Sequence, residues 1–338
     1  MRLSDFDYPL PKELIAQQPL EKRDTSRLLV ADRKSGLLQD RVFFDVVSYF
    51  KPGDVLVLND TKVFKARVLG NKKGTGGKVD ALFLGDRTEK GSWRCLLQPA
   101  LKEGQTVEFP GQVQGVYAGR DKDGMALLDL TLETELKTWL DSVGTVPLPP
   151  YIKREPGKTD ERDYQTVYAE KEGAVASPTA GLHFTKELLS TLEKLGVEIL
   201  TVTLHVGYGT FRPVEDLENH RMHTERFELT AETADRINRA KAEKKDVWAV
   251  GTTTLRVLET CVQKKRLLPG KGETDLYIRE PFRFEIVDHL VTNFHLPKTT
   301  LLLLISAFMG ESLRKKAYEH AIAQKYRFYS YGDATLIL

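Results

Sequence analysis

The chain reads as an α/β protein in which a main α/β domain, residues 1–61 and 156–338, is interrupted by an inserted all-β barrel, residues 62–155. Three observations predict this. After Tyr164, short apolar runs alternate with amphipathic helical stretches, the pattern of strands joined through helices. Between Val63 and Leu130 that texture gives way to six brief β-rich runs punctuated by glycine. The insertion then ends at Val146-Pro147-Leu148-Pro149-Pro150-Tyr151, where crowded prolines exclude both a helix interior and a central strand.

Along the chain, Val55–Leu58 follows Pro52-Gly53-Asp54 and predicts a buried strand. Barrel strands are expected at Val63–Leu69, Val79–Leu84, Trp93–Gln98, Thr106–Phe109, Val113–Ala118 and Met125–Leu130. Gly76-Gly77 and Asp123-Gly124 suit tight turns, and Glu133–Leu140 a short helix. Ala174–Ala176 reads as a strand; Thr185 caps a helix to Leu195, Gly196 ends it, and Val197–Leu204 returns as a strand. This βαβ unit predicts two parallel strands with a right-handed crossover. Val247–Val250 is the next strand, followed by Gly251–Thr254 and a helix over Leu255–Lys265. Asp275–Ile278 and Phe282–Val287 read as strands, Thr299–Phe308 and Ser312–Lys325 as helices, and Ala334–Leu338 as the last strand.

Composition narrows the function classes. A length of 338 residues accommodates two domains, and a net charge of +2 carries no chain-wide polyanion-binding signature. Cys95 and Cys261 stand far apart without metal-ligand spacing, which fits a reducing cytosol and argues against a disulfide framework. The start, with Asp5, Asp7, Pro9 and Pro11, does not resemble a signal peptide, and the longest apolar run, Leu301–Met309, is far short of the ~20 residues that span a bilayer. A cytoplasmic protein with no membrane partner is expected.

Five of the seven histidines fall in four short motifs. His183 sits in Ser177-Pro178-Thr179-Ala180-Gly181-Leu182-His183-Phe184, and His205 precedes Gly207 and Gly209. His220, His223 and Glu225 cluster together, and His295 lies in Thr292-Asn293-Phe294-His295-Leu296-Pro297. Histidine exchanges protons near neutrality, and loops on a rigid scaffold are where chemistry is usually placed. Each motif also has a plainer reading. His183 could be a hydrogen-bonded structural residue, and the glycines after His205 could form a bulge. The threonines of Gly251–Thr254 could simply cap a helix, although free N–H groups at such a start also hold carboxylates or phosphates. His220 and His223 share a face only on a helix, and no third histidine or cysteine completes a zinc motif, so acid–base work or substrate contact is the better reading. Arg236, Arg239, Lys241, Lys244 and Lys245, and Lys264, Lys265 and Arg266, read as solvated faces or phosphate contacts. Residue patterns alone reach a soluble α/β enzyme with a histidine-rich cleft.

The motifs go further. Ser177–Thr185, Leu204–Val214, Val250–Arg256 and Thr292–Leu301 strongly resemble the S-adenosylmethionine:tRNA ribosyltransferase-isomerase family of queuosine biosynthesis. So do Phe6–Pro11, Leu14–Gln17, Ser26–Leu29, Gly53–Thr61 and Tyr329–Ala334, so the resemblance covers essentially the whole chain. It implies transfer and isomerisation of the ribosyl moiety of S-adenosylmethionine onto 7-aminomethyl-7-deazaguanine at the tRNA wobble position. Epoxyqueuosine-tRNA, adenine and methionine are the implied products. S-adenosylmethionine would be consumed as co-substrate, with no cofactor and no metal; the partner is tRNA carrying the modified base, and a monomer is expected. The catalytic candidates are His183, His205, His220, His223, Glu225 and His295. Substrate contacts fall to Ser177, Thr179, Gly181, Gly207, Gly209, Arg212, Thr252, Thr253, Arg256 and Asn293, with Thr252 and Thr253, aided by Arg212 or Arg256, as anchors for the methionine carboxylate. The chain departs from the family pattern at Arg226-Phe227 and at Glu280-Pro281-Phe282. An S-adenosylmethionine-dependent RNA methyltransferase and a non-catalytic RNA-binding protein are the alternatives, but no glycine-rich loop after a first strand supports the former.

Overall fold

A computed structural model of the chain describes residues 2–207, 214, 216–220 and 222–338. The chain divides into two compact units, one of Met1–Lys62, Pro149–Arg154 and Asp163–Leu338, the other of Val63–Leu148 and Glu155–Arg162.

It opens with β1 (Arg27–Ala31), β2 (Leu38–Val42), β3 (Val55–Asn59) and the short β4 (Thr61–Val63). Every residue of β3 is buried, as a Val-Leu-Val-Leu run requires when both faces of a sheet are covered. In the second unit β5 (Arg67–Lys72), β6 (Lys78–Arg87), β7 (Trp93–Gln98), β8 (Thr106–Glu108), β9 (Gln114–Arg120) and β10 (Ala126–Leu130) close into a barrel. Period-two alternation buries Val79, Ala81 and Phe83, and Leu136, Trp139 and Leu140 of α1 (Leu136–Val143) join the same core. The first barrel strand begins at Arg67 rather than Val63, because Thr61–Val63 is a strand of its own.

A single turn, α2 (Asp160–Asp163), leads to β11 (Lys171–Ala174), α3 (Lys186–Leu195) and β12 (Glu198–Leu204). Thr185 caps α3 by accepting from Leu188 N, and Gly196 ends it at φ 91°. Then come β13 (Glu225–Leu229), α4 (Ala231–Ala242), β14 (Val247–Val250) and α5 (Gly251–Thr260), followed by the ribbon β15 (Val262–Gln263) and β16 (Arg266–Leu267). The chain finishes with β17 (Gly270–Thr274), β18 (His289–Asn293), α6 (Thr300–Met309), α7 (Glu311–Ala323) and β19 (Ala334–Ile337). The main sheet has nine strands in the order β17-β13-β12-β3-β14-β18-β19-β1-β2. Its centre, β12, β3, β14 and β18, is parallel throughout. On one face Leu28, Leu56, Trp248 and Val291 pack with Leu188 and Leu192 of α3.

Three expectations are corrected. Ala174–Ala176 is not the first strand of a βαβ unit: β11 ends at Ala174 and pairs with β4 outside the main sheet, and β12 finds its parallel partner in β3. The triplet is buried all the same, and a short apolar run does not distinguish a strand from a buried loop. Asp275–Ile278 and Phe282–Val287 are not strands, because their backbone bonds to side chains. Leu276 N donates to Thr274 Oγ1 at 3.2 Å, and the N–H groups of Glu285, Ile286 and Val287 donate to the Glu259 carboxylate at 3.0, 3.1 and 3.2 Å. The helix after Val250 stops at Thr260 rather than Lys265, since Lys264 and Lys265 take φ 49° and 61° in the turn between β15 and β16.

Glu259 therefore steers the approach to β18, the strand that delivers Asn293. Replacing Glu259 with alanine deprives three successive donors of their acceptor and should lower stability by about 2–3 kcal/mol in urea unfolding. A loss below about 0.5 kcal/mol would show that the segment holds itself.

Candidate functional site

The four central parallel strands end side by side at Asn59, Leu204, Val250 and Asn293. In open α/β sheets, loops leaving this edge converge on ligands. Asn59 ties the edge together. Its Oδ1 accepts from Thr61 N at 3.2 Å and Leu204 N at 3.0 Å, while its Nδ2 donates to Leu204 O at 3.0 Å and Thr253 Oγ1 at 3.1 Å. Val250 passes directly into α5 through Gly251 at φ 86°, a conformation that favours glycine. No side chain caps this helix, so its first N–H groups keep their capacity for a ligand.

A pocket of about 680 Å³, counting its open mouth, lies at this edge. Segments 177–180, 251–253, 292–296 and 329–330 build its walls, with Tyr151, Val206, Thr299 and Leu301. Of the residues singled out from sequence, Ser177, Thr179, Thr252, Thr253, Asn293 and His295 line it.

His183 does not reach the lining. Its ring is 4 % exposed, stacks on Phe43 at 4.9 Å, and is bonded on both nitrogens: Nδ1 to Ser26 Oγ at 2.8 Å and Nε2 to Asn293 Nδ2 at 3.1 Å. An amide nitrogen can only donate, so Nε2 accepts and the proton sits on Nδ1. Asn293 Oδ1 in turn accepts from Thr179 Oγ1 at 2.9 Å, which fixes the amide orientation. Burial, reinforced by Arg327 and Arg23, lowers the His183 pKa to about 3. Gly181 is required nearby: a Cβ there would lie 1.9 Å from Tyr168 Oη. His295 is also held neutral by burial, its pKa lowered to about 3. Thr292 Oγ1 engages its Nε2 at 2.9 Å, while Tyr318 Oη accepts from its backbone N–H and Tyr8 donates to its carbonyl. Its Nδ1 has no hydrogen-bond partner among the described residues.

A second group lies off the lining, around Gly207. Glu225 and Arg256, 5 % and 3 % exposed, form a buried ion pair. Gly207 N donates to Glu225 Oε1 at 2.9 Å, and Arg256 Nε donates to Leu276 O at 3.2 Å. Arg256 thus pairs with Glu225 and lies off the pocket lining, and its Nη2 has no hydrogen-bond partner among the described residues. His205 follows the end of β12, with Nδ1 2.8 Å from Thr61 Oγ1. His220 packs against Tyr277 at 5.4 Å, and burial and then His223 lower its pKa. Both His220 and His223 lie on irregular backbone, so helical spacing does not bring them together. Gly209 and Arg212 lie outside the described residues. Among the described residues no group of three or more His, Cys, Asp or Glu is arranged to hold a metal ion.

Of the basic run at and after α4, Arg236 pairs with Glu198 and Glu232, Lys241 lies 2.9 Å from Asp288 and Lys245 Nζ donates to Pro52 O at 3.0 Å. The departures at Arg226 and at Glu280-Pro281-Phe282 are off the pocket lining. Sequence reasoning overlooked Tyr151, Tyr329 and Ser330 as site residues. The first belongs to the proline connector and the others to the Tyr329–Ala334 motif; neither stretch offers a histidine or a helix start to draw attention.

The model of the family described as "Queuosine biosynthesis protein" matches residues 3–337. The S-adenosylmethionine:tRNA ribosyltransferase-isomerases of Symbiobacterium thermophilum and Sulfurihydrogenibium sp. are 49 % and 48 % identical to this chain, each match covering 100 % of both proteins. A crystal structure of the S-adenosylmethionine tRNA ribosyltransferase from Thermotoga maritima is 35 % identical, with a TM-score of 0.58 over 99 % of this chain and 100 % of that one. With the barrel, the parallel-edge pocket and the matching motifs carried on a full-length likeness, the chain belongs to the queuosine biosynthesis protein family.

Proposed function

We propose that this chain is an S-adenosylmethionine:tRNA ribosyltransferase-isomerase, moving and rearranging the ribosyl group of S-adenosylmethionine onto 7-aminomethyl-7-deazaguanine at the tRNA wobble position. The observation that carries this reading is the convergence of Ser177–Ala180, Gly251–Thr253 and Thr292–Leu296 on one pocket. S-adenosylmethionine is consumed, and no other cofactor is invoked.

The uncapped start of α5, with Thr252 and Thr253, takes the methionine carboxylate, as unpaired N–H groups and the helix dipole favour an anion there. The sulfonium acidifies the adjoining 5′ carbon of the ribose, and a base must remove a proton from it. His295 fits that role best. It lines the pocket, and when Nε2–H donates to Thr292, Nδ1 presents a lone pair. A histidine kept neutral by burial also tolerates a cationic sulfonium beside it. His183, bonded on both nitrogens, is a positioning residue that sets the Asn293 amide. Asn59 does the same for Thr253.

Three outcomes follow. Purified protein given S-adenosylmethionine and tRNA bearing the aminomethyl base should release adenine and methionine at an undiminished rate in excess EDTA. S-adenosylhomocysteine in their place would mean methyl transfer and end this reading. Changing His295 to glutamine should cut turnover by about 10²–10⁴-fold with near-native unfolding. Changing His183 to asparagine should instead lower stability by about 1–3 kcal/mol, by unpairing Ser26 and Asn293; wild-type turnover in the His295 variant would exclude it as the base.

The buried rings also set a pH dependence. Burial lowers both folded-state pKa values to about 3, below the ordinary histidine value of 6.5. Their contribution to stability is complete above pH 6.5 and is lost as pH falls from there toward 3. Each should cost on the order of 1 kcal/mol per pH unit in that window, and the slope of stability against pH should be shallower in the His183 variant. Equal slopes would show that His183 is not buried neutral.

A further inference from the structure

The pocket lining carries two buried hydroxyls that no other described residue engages. Ser177 Oγ and Tyr329 Oη are buried, in residues 5 % and 7 % exposed, and neither has a hydrogen-bond partner among the described residues. Native structures pair nearly all such groups, and each one left over detracts from stability. Tyr329 carries a second cost. Its φ is 73°, in the left-handed region that disfavours side chains other than glycine. Strain of this sort persists only where surrounding contacts enforce it, and it clusters at functional sites.

Those contacts are present. Tyr329 N donates to Phe294 O at 3.3 Å and its carbonyl accepts from Gly332 N at 2.8 Å. The ring packs at a tilt against Tyr151 with centroids 4.1 Å apart, and Tyr151 is itself bonded to Ser330. The phenol is thus fixed in place with its hydroxyl unpaired among the described residues. Much of the remaining lining, Pro178, Ala180, Val206, Phe294, Leu296 and Leu301, is apolar. Apolar walls with a few fixed hydroxyls suit a flat heteroaromatic ring.

We propose that Tyr329 and Ser177 bind the adenine of the sulfonium donor, Tyr329 donating a hydrogen bond to a ring nitrogen as the purine leaves. Burial raises the Tyr329 phenol above its ordinary pKa, so it keeps its proton and serves as donor rather than base. The α5 start holds the methionine end, so the two ends of the donor are read by different residues. This inference rests on S-adenosylmethionine being the donor.

The test uses the full chain with Tyr329→Phe and Ser177→Ala. Phenylalanine keeps the ring and its packing against Tyr151 and removes only the hydroxyl. A structural hydroxyl would lower the melting temperature when removed. An orphaned one should leave it unchanged or raise it by about 1–3 °C. At the same time each variant should bind S-adenosylmethionine about tenfold more weakly by calorimetry, the loss expected for one hydrogen bond. Product inhibition by adenine should weaken to a similar degree while inhibition by methionine stays within twofold. A melting temperature several degrees lower, binding of S-adenosylmethionine within twofold of wild type, or equal loss of adenine and methionine inhibition would overturn the proposal. Wild-type protein that binds S-adenosylmethionine but releases no adenine would count against the ribosyl-transfer reading alone, and the binding comparison would still decide this one.

Discussion

The carboxamide of Asn59 is the interaction on which the pocket edge depends. It ends the central strand β3 and fills both acceptor and both donor positions at once. Those bonds continue the β3–β12 ladder one step beyond the last backbone pair and reach across to the first turn of α5. Side-chain amides can imitate a peptide group in this way because they offer the same donor and acceptor geometry. Three chain segments from distant parts of the sequence are thereby locked into one register, and the loops that leave them inherit it.

Burial is the second constraint, and it decides how the histidines behave. His183 and His295 would each be cationic part of the time in water. Enclosed among Phe43, Ser26, Thr292 and Asn293, they are held neutral because the low-dielectric surroundings penalise charge. The polar atoms that accompany them are paired in short chains, Ser26–His183–Asn293–Thr179 on one side and Thr292–His295 on the other. Such chains rigidify a site when every member is satisfied. On the pocket lining, the buried hydroxyls of Ser177 and Tyr329 differ in having no such partner among the described residues.

Glu225 and Arg256 show the same physics with charge. Enclosed ions are tolerated best as a pair with further hydrogen bonds, and here Gly207 N and Leu276 O add two, while Arg256 Nη2 stays unpaired among the described residues. The pair holds Gly207, just beyond β12, and neither residue lines the pocket.

The sequence by itself determined the architecture. Apolar runs and glycine turns marked the β-rich insertion and the sheet strands β3, β12, β14 and β19, because side-chain periodicity and backbone punctuation are local properties, whereas β1, β2, β13, β17 and β18 were not read from the sequence. The long motifs also identified the segments that meet at the pocket. Local pattern failed where backbone groups bonded to distant side chains. Glu259 withheld 285–287 from the sheet, and β11 paired away from it although Ala174–Ala176 looks like a strand. Only the tertiary structure decided which histidine lines the pocket at the sheet edge. His183 and His295 carry equal weight in the sequence, yet one is enclosed and the other lines the pocket. The sequence marks Tyr329 only as the first residue of the Tyr329–Ala334 motif, because its strained backbone and unpaired hydroxyl exist only once Phe294, Gly332 and Tyr151 have packed around it.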